Sequence, residues 1–139
     1  GDAGAIRQLQ KPLDKPYSIG YNNNSRRLNM TREFVIMPEF EKQWSAMGLS
    51  DKELSSLQYE LTITPKIGDV IKGTGGLRKF RYAFENRGKS GRVRVCYIDF
   101  VVKERIYLIT AYPKNKKENL SKEECNEIKK LVKLLEESL

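Results

Sequence analysis

Histidine is absent from this chain of 139 residues. That removes the side chain best suited to proton transfer near neutral pH, and with it any imidazole-ligated metal site. Cysteine is scarce. Cys96 and Cys125 stand far apart, without the close spacings of a zinc site or a disulfide framework, and a reduced, cytoplasmic setting is expected. No apolar run approaches the ~20 residues of a membrane-spanning helix, and no stretch has the form of a secretory signal. Acidic residues are outnumbered, with 18 Asp and Glu against 26 Lys and Arg and a formal net charge of +8. Such an excess favours a polyanionic partner: nucleic acid, a ribosome, an anionic membrane or an acidic protein. The membrane is the poorest of these matches, because no basic helix with a broad apolar face is present.

The stretch from Gly73 to Tyr97 carries the strongest pattern. Two strand-like runs, Leu77–Phe84 and Arg92–Phe100, flank a polar loop at 85–91 that is rich in turn formers. Strand alternation puts Phe80, Tyr82 and Phe84 on one side, and Lys79, Arg81 and Ala83 on the other. In the second run Val93, Val95 and Tyr97 share a face opposite to Arg92, Arg94 and Cys96. Antiparallel pairing with the apolar faces together leaves a cationic face of Lys79, Arg81, Arg92 and Arg94. A solvated face normally mixes charges, and this pair of strands contributes no carboxylate to it.

The rest of the chain supplies helices and a cover. Residues 1–29 have few apolar residues and no sustained period. They read as an atypical N-terminal extension, either a flexible arm or a leader added upstream, with the domain proper at 30–139. Thr31–Met37 reads as a first strand. Pro38, Glu39 and Glu41 suit the first turn of a helix that carries Phe40, Trp44 and Met47 inward and stops at Gly48. Ser50 and Glu53 form a capping box opening a second helix on Leu54, Leu57 and Leu61, ended by Pro65. The glycine-rich connector Pro65–Gly76 reads as a structural turn; it matches neither a dinucleotide-binding nor a Walker pattern. Ile106–Tyr112 is a strand apolar on both faces, followed by the basic loop Pro113–Glu118. Ser121 and Glu124 cap a last helix with Cys125, Ile128, Leu131, Val132 and Leu135 on one face. The expected class is α+β: a small antiparallel sheet with the N-terminal helical hairpin and the C-terminal helix packed on one face. The other face is left to the basic residues.

Four segments together resemble the RelE/HigB family of type II toxins, the HigB-like branch most of all. They are Pro65-Lys-Ile-Gly-Asp-Val-Ile-Lys-Gly-Thr-Gly-Gly-Leu-Arg-Lys-Phe-Arg81, Gly88-Lys-Ser-Gly91, Arg94-Val-Cys-Tyr97 and Tyr112-Pro-Lys-Asn-Lys-Lys-Glu-Asn-Leu-Ser121. The resemblance spans Met30 to the C-terminus, with Gly73–Arg81 its most specific part. It implies a ribosome-dependent endoribonuclease (mRNA interferase) that cuts mRNA in the decoding site, without metal or other cofactor. It also implies a cognate antitoxin, commonly of helix-turn-helix type, through which alone operator DNA would be contacted.

By position, the resemblance assigns Lys79, Arg81 and Arg94 to the catalytic strands and Lys114, Lys116 and Lys117 to the basic loop after the last strand. In this reading Arg81 and Arg94 stabilise charge on phosphate, Lys79 acts as base and Lys114 as acid. Arg78, Arg87, Lys89, Arg92, Lys116 and Lys117 would hold RNA or the ribosome. Asn119-Leu-Ser121 stands where some members carry a tyrosine, and Tyr112 is the nearest substitute. Two other readings of the same scaffold stay open: a gyrase-inhibiting toxin, and a non-catalytic RNA-binding module.

Overall fold

In a computed structural model, the described residues are 31–84, 92–139 and the backbone of Tyr17–Ser18. They form strands β1 (Tyr17–Ser18), β2 (Thr31–Ile36), β3 (Asp69–Val70), β4 (Arg78–Ala83), β5 (Arg92–Phe100) and β6 (Arg105–Pro113). The helices are α1 (Pro38–Ala46), α2 (Asp51–Ile63) and α3 (Lys122–Ser138). The sheet order is β1-β2-β6-β5-β4-β3. Every described pairing is antiparallel except β2 with β6, which run parallel. The α+β class therefore holds, with one parallel pair in a mostly antiparallel sheet. Within 1–29, the described backbone of β1 pairs with β2, Tyr17 opposite Arg32.

The local signals place the helices. Pro38 opens α1 with Glu39 and Glu41 in its first turn. Gly48 follows its end at φ +72°, where a side chain would be strained. Both capping boxes form: the Ser50 hydroxyl accepts from the Glu53 backbone N–H at 3.1 Å, and Ser121 does the same for Glu124 at 3.0 Å. Trp44 is a core anchor. It stacks on Phe40, meets Phe84 edge-on, and donates its indole N–H to the Ser50 carbonyl at 3.1 Å.

The sheet separates two apolar clusters. On one face α1 and α2 pack against Phe34, Ile36, Val93, Val95, Tyr97, Ile106 and Leu108, with Phe80 and Tyr82 at the margin. On the other, α3 brings Val132 and Leu135 onto Val35, Leu77, Cys96, Ile98, Tyr107 and Ile109. The C-terminal helix thus lies opposite the helical hairpin, not beside it as expected. The physical reason is in β5 and β6, which are apolar on both sides and need cover on both. A sheet roofed on one side only would leave Ile98, Tyr107 and Ile109 in water.

Tyr97 ties the connector to the sheet. It is fully buried, donates to the Pro65 carbonyl at 2.7 Å, and accepts from the Gly68 N–H at 3.0 Å. Burial raises its phenol pKa. Gly68 is needed there for room, since a Cβ would sit 2.8 Å from the Lys79 carbonyl oxygen. Tyr97→Phe leaves both connector groups unpaired and is expected to lower unfolding free energy by about 1–3 kcal/mol. Denaturant titration checks this.

Candidate functional site

α3 roofs only part of its face. Leu77, Cys96, Ile98, Tyr107 and Ile109 lie beneath it, and beyond its edge the same strand faces continue as Lys79, Arg81, Arg92 and Arg94. Register brings the cations together. Arg81 stands directly opposite Arg94, Lys79 opposite Cys96, and Ala83 opposite Arg92. Like charges directly opposite on neighbouring strands are destabilising, so this arrangement departs from what stability alone favours, as functional sites do.

Tyr112 joins the face through a bulge. Between the pairs Cys96–Thr110 and Tyr97–Leu108, β6 carries one extra residue. The extra residue reverses the alternation, so Ala111 turns to the α1/α2 core and Tyr112 to the α3 side, opposite Arg94. Tyr112 is buried, which raises its phenol pKa. Its hydroxyl makes a long 3.4 Å contact to the Glu118 carbonyl, and the Lys117 ammonium sits 4.9 Å from the ring centroid. Cys96, beneath the cations, is fully buried, and burial pushes its thiol up to about 12, which keeps it protonated and inert. Cys125 is half-buried on α3.

Past Pro113 the chain folds back across the cations. Arg94 Nη2 donates to Glu118 Oε1 at 2.6 Å and Oε2 at 3.0 Å. Lys79 Nζ donates to Asn119 Oδ1 at 2.6 Å and to the Glu118 carbonyl at 3.3 Å. A carboxylate therefore does stand on the cationic face, supplied by the loop and not by the strands. The hydrogen bond from Arg94, with the fields of Arg81 and Lys114 added, holds the Glu118 carboxyl below the usual carboxylate range. Arg94 is 3% exposed, and its Nε has no hydrogen-bond partner among the described residues. Beside it opens a pocket of about 250 Å³ lined by Arg81, Tyr82, Ala83, Arg92, Arg94 and Lys114.

The sequence-predicted residues that are described thus fall into four places. Arg81, Arg92, Arg94 and Lys114 converge on the pocket. Lys79 lies on the same strand face as Arg81, outside that pocket's lining, and is tethered to the loop. Lys116 is exposed on that loop, while Lys117 is paired with Glu124 at 2.6 Å. Arg78 lies on the opposite strand face, opposite Tyr97, and donates to the Gly68 carbonyl at 2.7 Å. Arg87 and Lys89 lie outside the described residues. Sequence reasoning missed Glu118, because a loop residue has no periodicity to reveal its direction.

The sheet is mixed and roofed by helices on both faces, and a cluster of arginine and lysine is left open at its end. The family model for the RelE toxin of the RelE/RelB toxin–antitoxin system matches residues 39–138. The chain therefore belongs to the RelE toxin family, the toxins of type II toxin–antitoxin systems, and that membership implies an antitoxin partner. Among solved structures it is similar to a double arginine-to-alanine mutant of the E. coli toxin RelE in the free state. That likeness has 17% identity and a TM-score of 0.44, and covers 61% of this chain and 85% of the other. Among the described residues no helix is long and apolar enough to cross a membrane.

Proposed function

We propose that the open cationic face is the active site of a ribosome-dependent endoribonuclease of the HigB-like branch that cleaves mRNA. The observation that carries this is the cross-strand pair Arg81–Arg94, placed with Lys114 and Arg92 around one open pocket. Two facing guanidiniums match the non-bridging oxygens of a phosphodiester and stay charged throughout a reaction. The ribosome would position the mRNA, since the face offers cations but few exposed aromatic surfaces for holding bases. A helix-turn-helix antitoxin is the proposed partner, with operator DNA reached only through it.

In the proposed reaction the ribose 2′-hydroxyl attacks the adjacent phosphorus and the bond to the 5′-oxygen breaks. The products are a 2′,3′-cyclic phosphate and a 5′-hydroxyl end. Arg81 and Arg94 stabilise the extra negative charge of the pentacoordinate phosphate. Lys79 is the proposed acceptor of the 2′ proton, which requires it to leave Asn119 and act in its neutral form. Lys114, exposed at the pocket wall, supplies a proton to the departing 5′-oxygen. None of these roles calls on a metal.

The ends of the products test this chemistry. Downstream fragments are expected to accept label from polynucleotide kinase without prior phosphatase treatment, and upstream fragments to carry cyclic phosphate. Downstream fragments bearing 5′-phosphate would instead mean direct attack by water, and would overturn the scheme.

A further inference from the structure

We propose that Glu118 is a built-in competitor of the phosphate site, its carboxylate holding on Arg94 the place that a phosphate of the substrate takes in the complex. The inference rests on the reading of the cationic face as a phosphate site and adds how that site is kept from lesser anions.

Three observations carry it. The first is geometric: a single nitrogen of Arg94 bridges both Glu118 oxygens, at 2.6 and 3.0 Å, as it would bridge two oxygens of a phosphate. The second is asymmetry of burial. The Arg94 side chain is 4% exposed whereas that of Glu118 is 49% exposed. The carboxylate can swing into water while the guanidinium stays fixed. The third is the orphan donor. Arg94 Nε–H is buried and unpaired among the described residues, so the carboxylate leaves part of the guanidinium's hydrogen-bonding capacity unused. A tetrahedral phosphate has more acceptor oxygens than a carboxylate and can serve Nη2 and Nε together.

The loop is fastened at a second point. Asn119 Oδ1 and the Glu118 carbonyl both accept from Lys79. Removing Glu118 from Arg94 therefore also tends to free Lys79, the proposed base. A ligand that displaces the loop must repay both contacts. One isolated carboxylate or mononucleotide phosphate gains too little. A phosphate within a chain can engage Arg81, Arg92 and Lys114 around the pocket at the same time. The ligand class this selects is a polynucleotide backbone, and the device keeps the site from binding the abundant small phosphates around it.

Inorganic phosphate, titrated into the full chain and followed at the Arg94 Nε–H resonance by nitrogen-edited NMR, tests the proposal without any need for cleavage. Glu118→Gln is expected to bind phosphate about tenfold more tightly than the unmodified chain, the ratio for an occupant that blocks the site nine-tenths of the time. Glu123→Gln removes the same charge from nearby, outside the Arg94 contact, and is expected to leave affinity unchanged. Equal affinity in the unmodified chain and Glu118→Gln overturns the proposal. So does equal tightening by Glu123→Gln, which would reduce the effect to net charge. Failure of all three to bind phosphate overturns it as well. The reading beneath it fails separately: mRNA cleavage with 5′-hydroxyl ends can persist while the Glu118 effect is absent, and the Glu118 effect can be present in a protein that cuts no RNA.

Discussion

Arg81→Ala is expected to lower ribosome-dependent mRNA cleavage by about 10²–10³-fold, the range for removing one preorganised donor from a developing oxyanion. Arg81 is the informative position because it is exposed and stands at the pocket wall, clear of both apolar clusters. Its loss changes the field at the phosphate without opening a cavity. Arg94→Ala is expected to be as damaging to cleavage, but it also removes a buried side chain and its Glu118 contact, so stability changes with it. Single-turnover cleavage on saturating, programmed ribosomes separates the two effects, with denaturant midpoints measured alongside. Growth arrest on expression of Arg81→Ala is expected to disappear. An Arg81→Ala rate equal to that of the unmodified chain would remove Arg81 from the mechanism.

Asp99→Asn is expected to produce the largest loss of stability, about 3–5 kcal/mol, the cost of removing one charge of a buried ion pair. Arg32 on β2 reaches across β6 to Asp99 on β5, with Nε to Oδ1 at 2.8 Å and Nη2 to Oδ2 at 3.2 Å. The side chains are 5% and 2% exposed. The paired fork stitches three strands at the end of the sheet away from the cationic pocket. A loss of that size is a large fraction of the ~5–15 kcal/mol by which domains are stable. Denaturant titration measures it. Arg32→Met with Asp99→Leu is expected to recover much of the loss, because a well-packed apolar pair carries no desolvation penalty. A midpoint for Asp99→Asn equal to that of the unmodified chain would show that water or another group serves Arg32.

Much of the site's scaffold was legible in the sequence, for reasons that can be named. Alternation along Leu77–Phe84 and Arg92–Phe100 fixed which side chains share a face, and the register then set Arg81 opposite Arg94. The same alternation places Arg78 on the far face, where it bonds the connector. The two capping boxes located the starts of α2 and α3 because their chemistry is local. What was not legible depends on distant parts of the chain. An amphipathic stripe shows that α3 buries one side, but not which face of the sheet receives it. The hint was Ile106–Tyr112, apolar on both sides and so in need of two covers. The bulge that turns Tyr112 toward Arg94 leaves no local signature, since either parity buries apolar residues. Glu118 and Asn119 reach Arg94 and Lys79 through a loop whose path only the folded chain defines.

Primer extension on a defined mRNA, incubated with the purified chain with and without ribosomes, tests the central claim most directly. Cleavage is expected only when ribosomes are present, at positions that fall in the decoding site. Intact mRNA under both conditions would contradict the account, leaving gyrase inhibition or non-catalytic RNA binding as the activity of this fold.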